Sequence, residues 1–360
     1  MSAWQERVAA LRARLASMGL PALVVSAPSN VFYLSGFRGS AGALLVSSER
    51  AVLFSDFRYR LQAREQAPDW EFHEVERRLL RTLGAAAREM CLTRLGYDPG
   101  HLTCEQRDEL AKGAEGLELV PAGGLVEELR AVKSPEEVAR IRRAAELADR
   151  ALARMVDLLA PGTTEREIAL EGEVLMRREG AEAAAFDIIV ASGPRSALPH
   201  AEAGDRALAA GDLVVMDLGA RVDGYCSDIT RTYAVREASA QAREVYALVY
   251  RAQRAGAAAV RAGARCEEVD AVARRVIEEA GHREHFGHSL GHGVGIEVHE
   301  APRLASTEDA PLVAGQVLTV EPGVYLEGIG GVRLEDLLLV TGEGAETLTG
   351  SPLPEELPVV

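Results

Sequence analysis

Residues 288 to 302, HSLGHGVGIEVHEAP, hold three of the chain's 8 histidines, His288, His292 and His299, with Gly291, Gly293 and Gly295 between them. Two carboxylate pairs share the C-terminal part of the chain with this cluster. Asp217 in VVMDLGA and Asp228 in CSDITRT flank Asp223-Gly224, a strong signal for a two-residue hairpin. Cross-strand partners share a face with their neighbours two residues along, which sets Asp217 and Asp228 on one side of the ribbon. Among Val215, Met216 and Ile229 these two carboxylates would repel each other and resist desolvation unless a cation lay between them. Glutamates repeat the arrangement: Glu321 ends QVLTVE and Glu335 lies in GVRLED, across Gly328, Gly330 and Gly331. Arg333 shares the phase of Glu335 and is a candidate to orient a ligating carboxylate, whereas Asp336 is one position out of phase and should face away.

Four carboxylates and one imidazole carry too much charge for one ion and suit two hard or borderline divalent ions. Such a pair activates water and polarises a carbonyl, the usual means of metal-assisted hydrolysis. His292 is the expected imidazole ligand, its flanking glycines letting the backbone approach the ion or adopt positive φ. His288 and His299 are then free to act on substrate. His200, in GPRSALPHAEAG, precedes Asp217 by a loop and can reach the same place, while His73, His101, His282 and His285 are read as structural.

The elements that must position these residues follow from periodicity. Residues 5 to 18 show helical spacing, and ALVVS, VFYLSGF, GALLVSS, AVLFS, WEFHEV, RLGYDP and LELVPA read as short strands between helices, an α/β domain. The capping box Ser134-Pro135-Glu136-Glu137 then starts a long helix that should run to Pro161-Gly162. Thr164 and Glu167 cap a second helix, and AFDIIVASG, DLVVMDLGA and YCSDITRTYAV supply strands. Residues 238 to 262 form another long helix, ARCEEVDAVARRVIEEAG a shorter one, and QVLTVEPGVYL and GGVRLEDLLLVT another strand pair. Helix, helix and strand pair thus occur twice, which implies two halves related by a pseudo-twofold with the site at their junction. The domains are expected at 1–128 and 129–360.

A chain of 360 residues exceeds the roughly 250 to 300 at which one core stops growing, in keeping with two domains. With 48% hydrophobic and 26% charged residues it belongs to the globular class. A net charge of -15 argues against a nucleic-acid backbone or an anionic membrane as partner, since either would repel this surface. Cys91, Cys104, Cys226 and Cys266 lie far apart, the pattern of reduced thiols rather than of a disulfide scaffold. With no secretory leader pattern at the N-terminus and no 18-residue apolar run, a cytoplasmic location is expected.

Taken together, ALPH, MDLGARVDGYCSDITRTY, HSLGHGVGIEVHEAP, TVEPGVY and GVRLEDLLLVT resemble the Xaa-Pro peptidases, the prolidase and aminopeptidase P group of pita-bread metallopeptidases, over residues 130 to 350. YLSGF and its surroundings resemble that group's creatinase-type N-terminal domain. The resemblance implies a pita-bread α+β catalytic domain behind a creatinase-like α/β domain. It also implies two divalent ions, Mn²⁺ first and Co²⁺, Zn²⁺ or Fe²⁺ next, on Asp217, Asp228, His292, Glu321 and Glu335. Glu321 would also move a proton, His299 would meet the oxyanion, and His200, His288 and Arg333 would stand on the substrate side. Small proline-containing peptides are the implied substrates and a homodimer the implied assembly. A dipeptidase must recognise proline's free carboxylate, a role assigned to Arg38 of SGFRGSAG if that loop overhangs the site. An aminopeptidase acting on longer peptides is the alternative, and a non-catalytic peptide-binding protein of the same fold a remote one. A creatinase-like amidinohydrolase would lack this ligand set, and a methionine aminopeptidase would lack the N-terminal domain.

Overall fold

A computed structural model describes residues 3 to 360, which divide into two compact units, one ending at Arg130 and the other spanning Ala131–Val360. The boundary drawn from the sequence at 128/129 falls inside the last helix of the first unit, Leu125–Ala131.

The N-terminal unit is built on a six-stranded sheet, ordered Glu71–Glu74, Ala51–Ser55, Ala43–Ser47, Ala22–Val25, Arg94–Tyr97, Glu118–Pro121. Ala43–Ser47 pairs antiparallel with both its neighbours, and the other three pairings are parallel. Val24, Leu45, Phe54, Leu95 and Leu110 fill the core between the sheet and its helices. The expected strand VFYLSGF is instead the end of a helix, Pro28–Ser35, with proline in its first turn and Gly36 closing it at φ 79° by donating to the Phe32 carbonyl. Ser29 to Ser35 are all buried, so the segment has no solvent-facing side to reveal a period of 3.6, and the short apolar run Val31 to Leu34 is ambiguous between helix and strand.

The second unit repeats one plan. Pro135–Val156 and Glu165–Arg178 lead into Ile189–Ser192, Leu213–Leu218 and Ile229–Ala234, which form a three-stranded antiparallel sheet. Ala240–Ala259 and Cys266–Glu279 lead into a five-stranded sheet in which Val317–Val320 pairs with Asp336–Val340. Ser134 and Thr164 cap their helices through reciprocal boxes with Glu137 and Glu167. The first of these helices ends at Val156, short of Pro161, because the chain turns at Leu158 and Leu159 onto the core. Ile168, Met176, Val190 and Met216 bury one half's helices against its sheet, and Val249, Ile277, Leu318 and Leu338 do the same in the other. Burying a side chain of this size stabilises by about 1.5–3 kcal/mol.

Candidate metal centre

Each half presents one long two-stranded ribbon to the junction. Asp223 and Gly224 turn the first at φ 48° and 83°, the type I′ geometry that two-residue hairpins favour. The register runs unbroken past Arg221–Cys226 to Leu218–Ile229 and Asp217–Thr230, so Asp217, Asp228 and Thr230 share a face. In the second ribbon Gly323 pairs with Arg333 and Val320 with Asp336, which leaves Glu321 opposite Glu335 where the ribbon passes from one sheet to the next. His292 comes from the neighbouring strand Gly291–Gly293. Its glycines do not adopt positive φ; they are needed because a Cβ on Gly291 would lie 2.0 Å from the Thr319 carbonyl oxygen, and one on Gly293 2.2 Å from that of Ala301. The flanking strands, rather than an ion, demand the missing side chains.

Asp228, His292 and Glu335 each offer a ligand atom within 4.8 Å of the others. His292 Nε2 is 3.2 Å from Glu321 Oε1 and 3.7 Å from Asp228 Oδ2. Asp217 Oδ2 accepts from Arg333 Nη2 at 2.6 Å, while its Oδ1 is buried with no hydrogen-bond partner among the described residues. The carboxylates are held from behind. Thr230 Oγ1 donates to Glu335 Oε2 at 2.7 Å, and Thr319 Oγ1 accepts from the His292 backbone N–H and donates to Glu321 Oε1.

Burial is the first cause of every acidic shift here. It raises Asp217 above its ordinary value against the pull of Arg333. Burial and the charges of Glu335 and Asp217 push Asp228 well up, and burial with Glu321 and Asp217 does the same to Glu335. At Glu321 the hydrogen bond and charge of His292 outweigh burial and keep the carboxyl below its ordinary value. Three buried carboxylates that favour protonation, beside an orphaned Asp217 oxygen, form a donor set short of positive charge. Divalent cations fit that shortage.

One consequence is measurable without substrate. A carboxylate with a raised folded pKa adds nothing against folding below its unfolded value near 4, and its penalty grows as pH rises towards the folded value. Glu321, kept below its ordinary value, and His288 and His299, lowered by burial, work in the opposite sense, but their contribution is complete once pH passes the ordinary imidazole value of about 6.5. We therefore expect the melting temperature of chelator-treated protein to fall between about pH 6.5 and 8, and the stabilisation by added Mn²⁺ to grow over the same range. A flat difference between the two melting curves would contradict this.

The remaining expected site residues divide. His288 Nδ1 donates to the Ser289 carbonyl at 2.8 Å, and its Nε2 is 3.0 Å from the Tyr325 hydroxyl, which Arg333 Nη1 reaches at 3.1 Å. Burial lowers the pKa of His288 and favours its neutral form. His299 packs edge-on to His292 with ring centroids 4.3 Å apart, and burial followed by the charge of His292 lowers its pKa too. His200, on an irregular loop, joins His288, His299, Arg333 and the five carboxylate and imidazole positions in lining a cavity of about 910 Å³. Arg38 belongs to the N-terminal unit, exposed, with its guanidinium 4.7 Å from the Phe32 ring centre. Sequence reasoning missed Thr230, Thr319, Tyr325 and Arg303. Tyr325 lies four residues beyond Glu321 and was open to the alternation argument applied to the carboxylates. Arg303, paired across strands with His292, stands in the cavity wall and its partner could be known only from the register.

The profile of metallopeptidase family M24 matches residues 139–342, and that of the creatinase/prolidase N-terminal domain residues 7–132. An Xaa-Pro dipeptidase of Pyrococcus horikoshii is 38% identical over 333 residues, covering 92% of this chain and 93% of the relative. The solved structure of an Xaa-Pro dipeptidase from Bacillus anthracis matches with a TM-score of 0.95 at 40% identity, covering 99% of this chain and 100% of the other. An X-Pro aminopeptidase structure from Thermotoga maritima matches at 0.90 and 36%, covering 98% and 99%.

Proposed function

The chain belongs to metallopeptidase family M24 and carries a creatinase/prolidase N-terminal domain, and from that premise we propose that it is an exopeptidase cutting the bond between an N-terminal residue and proline, with Xaa-Pro dipeptides as preferred substrates. The observation that carries the proposal is the buried, cation-short carboxylate cluster opening into a cavity that also holds neutral His288 and His299. Two divalent ions on Asp217, Asp228, His292, Glu321 and Glu335, Mn²⁺ before Co²⁺, Zn²⁺ or Fe²⁺, would supply an activated water and a polarised carbonyl.

The chain's own residues do the rest. Glu321, ionised because His292 holds its pKa down, takes a proton at its carboxylate and returns it to the proline nitrogen as the bond breaks. His299, kept neutral by burial, donates its ring N–H to the carbonyl oxygen as negative charge gathers there, a contact that strengthens only as the reaction proceeds. Arg333 fixes Asp217 and, through Tyr325, sets the ring of His288 with Nε2 as acceptor. His200 and His288 border the space for proline. The working assembly we assign is a cytoplasmic homodimer, and a monomer mass by sedimentation would remove the dimer.

A dipeptidase must pair with proline's carboxylate. Arg303 stands in this cavity's wall and is a cation suited to that task, and Arg38 is the candidate the sequence offers. A hydrogen bond to a charged group contributes about 1.5–3 kcal/mol, so losing the relevant arginine should lower kcat/KM on an Xaa-Pro dipeptide roughly 10- to 100-fold while sparing an Xaa-Pro-Xaa tripeptide. Arg303→Ala and Arg38→Ala, assayed on both substrates, assign the contact. Equal losses on both substrates would deny either residue the role, and a wild type that prefers the tripeptide would favour the aminopeptidase.

A further inference from the structure

Two buried carboxylates outside the metal cluster stand at corresponding places in the two halves, each on the second helix of its half. Glu165 opens the helix Glu165–Arg178, and its side chain is 0% exposed. Helix capping does not account for it, because Thr164 and Glu167 perform that task. Instead Oε1 accepts from the backbone N–H of Ser192 at 2.9 Å and from its hydroxyl at 2.7 Å. Oε2 accepts from Arg195 Nε and from the Gly204 N–H, both at 3.1 Å. One carboxylate therefore ties both ends of the loop that carries His200. Arg195 crosses the same loop and donates to the Glu202 carbonyl at 2.6 Å.

Asp270, on the helix Cys266–Glu279, is also 0% exposed and pairs with Arg274 through two hydrogen bonds of 2.7 Å. It accepts from the Leu290 N–H at 3.1 Å, and Arg274 donates to the carbonyls of Phe286 at 3.0 Å and His288 at 2.8 Å. The plan matches that of Glu165: a buried carboxylate takes a backbone N–H at one end of a histidine-bearing segment, and its arginine takes carbonyls within it. Neither segment near its histidine is helix or strand, so no ladder of backbone hydrogen bonds fixes these rings. A buried carboxylate with both oxygens hydrogen-bonded is a rigid support, and positional error of about 1 Å costs on the order of 100-fold in rate.

We propose that Glu165 and Asp270 are the positioning residues of His200 and His288, two equivalent struts, one in each half, that aim the histidines into the space for proline. This rests on the reading that both histidines handle the substrate. The test uses full-length, Mn²⁺-loaded protein and an Xaa-Pro dipeptide, with metal content, kcat and KM measured for Glu165→Gln, Asp270→Asn, His200→Ala, His288→Ala and the four crossed double variants. Each strut variant should lose roughly 10- to 100-fold in kcat/KM with its metal retained. Glu165→Gln should add less than about 2-fold to His200→Ala, within the usual error of additivity, yet multiply in full with His288→Ala; Asp270→Asn should do the reverse. A merely structural defect would multiply in both backgrounds, and that pattern overturns the proposal, as does metal loss in step with activity. If His200→Ala or His288→Ala alone leaves activity intact, the substrate reading of that histidine fails and its strut with it, a result visible before any double variant is made. Should Glu165→Gln not fold, Arg195→Met, which keeps the carboxylate and removes only one anchor, replaces it in the same cycles.

Discussion

Asp228→Asn and Glu335→Gln should each remove about 10³-fold or more of the peptidase activity, and each should raise the melting temperature of the metal-free protein at pH 8. The first effect follows from the several kcal/mol of charge stabilisation that metal ions supply to a transition state, each 1.36 kcal/mol being tenfold in rate. The second follows from burial. Asp228 and Glu335 are 4% and 1% exposed, and burial, then the neighbouring carboxylates, pushes both well above the ordinary range. An amide of the same shape removes one buried charge from a group of like charges, so the metal-free chain gains what the loaded chain loses. Kinetics on Mn²⁺-saturated protein and melting in the presence of a chelator read the two effects separately. Near-native activity in either variant would remove that residue from the metal centre, and a lower metal-free melting temperature would show that its charge is compensated within the protein. Asp336→Asn is the internal control. It lies one position along the chain from Glu335, on the opposite face, bonded to Arg231, Gln253 and Thr349, and its loss should weaken folding without displacing metal.

Alternation along strands made most of this centre legible in the sequence. Asp223-Gly224 fixes a two-residue turn, the turn fixes the register, and the register alone puts Asp217 and Asp228 on one face. The same counting separates Glu335 from Asp336. It did not give the supports, because Thr230 and Thr319 look like ordinary strand threonines until a partner from another element stands opposite them. Glu165 was hidden differently. The sequence Thr164-Glu165-Arg166-Glu167 reads as a capping box, which explains Glu167 and leaves Glu165 looking like a favourable charge in a first helical turn. Its real partners are 27 to 39 residues away. Pro28–Ser35 failed for a further reason: periodicity reports a boundary between wet and dry faces, and this helix has none. Local pattern thus reveals which face a residue takes, while the partner on that face belongs to the tertiary structure.

Arg231→Met should cost about 3–5 kcal/mol of stability, the usual result of removing one partner from a buried ion pair. Arg231 is 2% exposed. Its guanidinium donates to Asp336 Oδ1 at 2.8 Å and to the carbonyls of Thr230, Ser351 and Pro352 at 3.0, 2.7 and 3.0 Å, and it also reaches the Glu335 carbonyl. Methionine keeps the apolar stem and leaves Asp336, 4% exposed, with the neutral donors Gln253 and Thr349. At about 2–4 °C per kcal/mol for a unit of this size, melting should fall by roughly 6–20 °C. Urea unfolding with an unchanged slope gives the same quantity independently. The double variant Arg231→Met with Asp336→Asn should recover part of the loss, since the orphaned charge is gone while the carbonyls stay unpaired. A loss below about 1 kcal/mol in the single variant would mean that solvent reaches this pair. The alternation that turns Thr230 and Glu335 toward the metal turns Arg231 and Asp336 away from it, so the side chains that close the ribbon's dry face also fix the backbone of a ligand. A less damaging change on the dry face, Gln253→Met, which removes one of the neutral donors to Asp336 and leaves the bond from Arg231 to the Glu335 carbonyl in place, should therefore lower stability by less than Arg231→Met and, like Asp336→Asn, leave the metal bound.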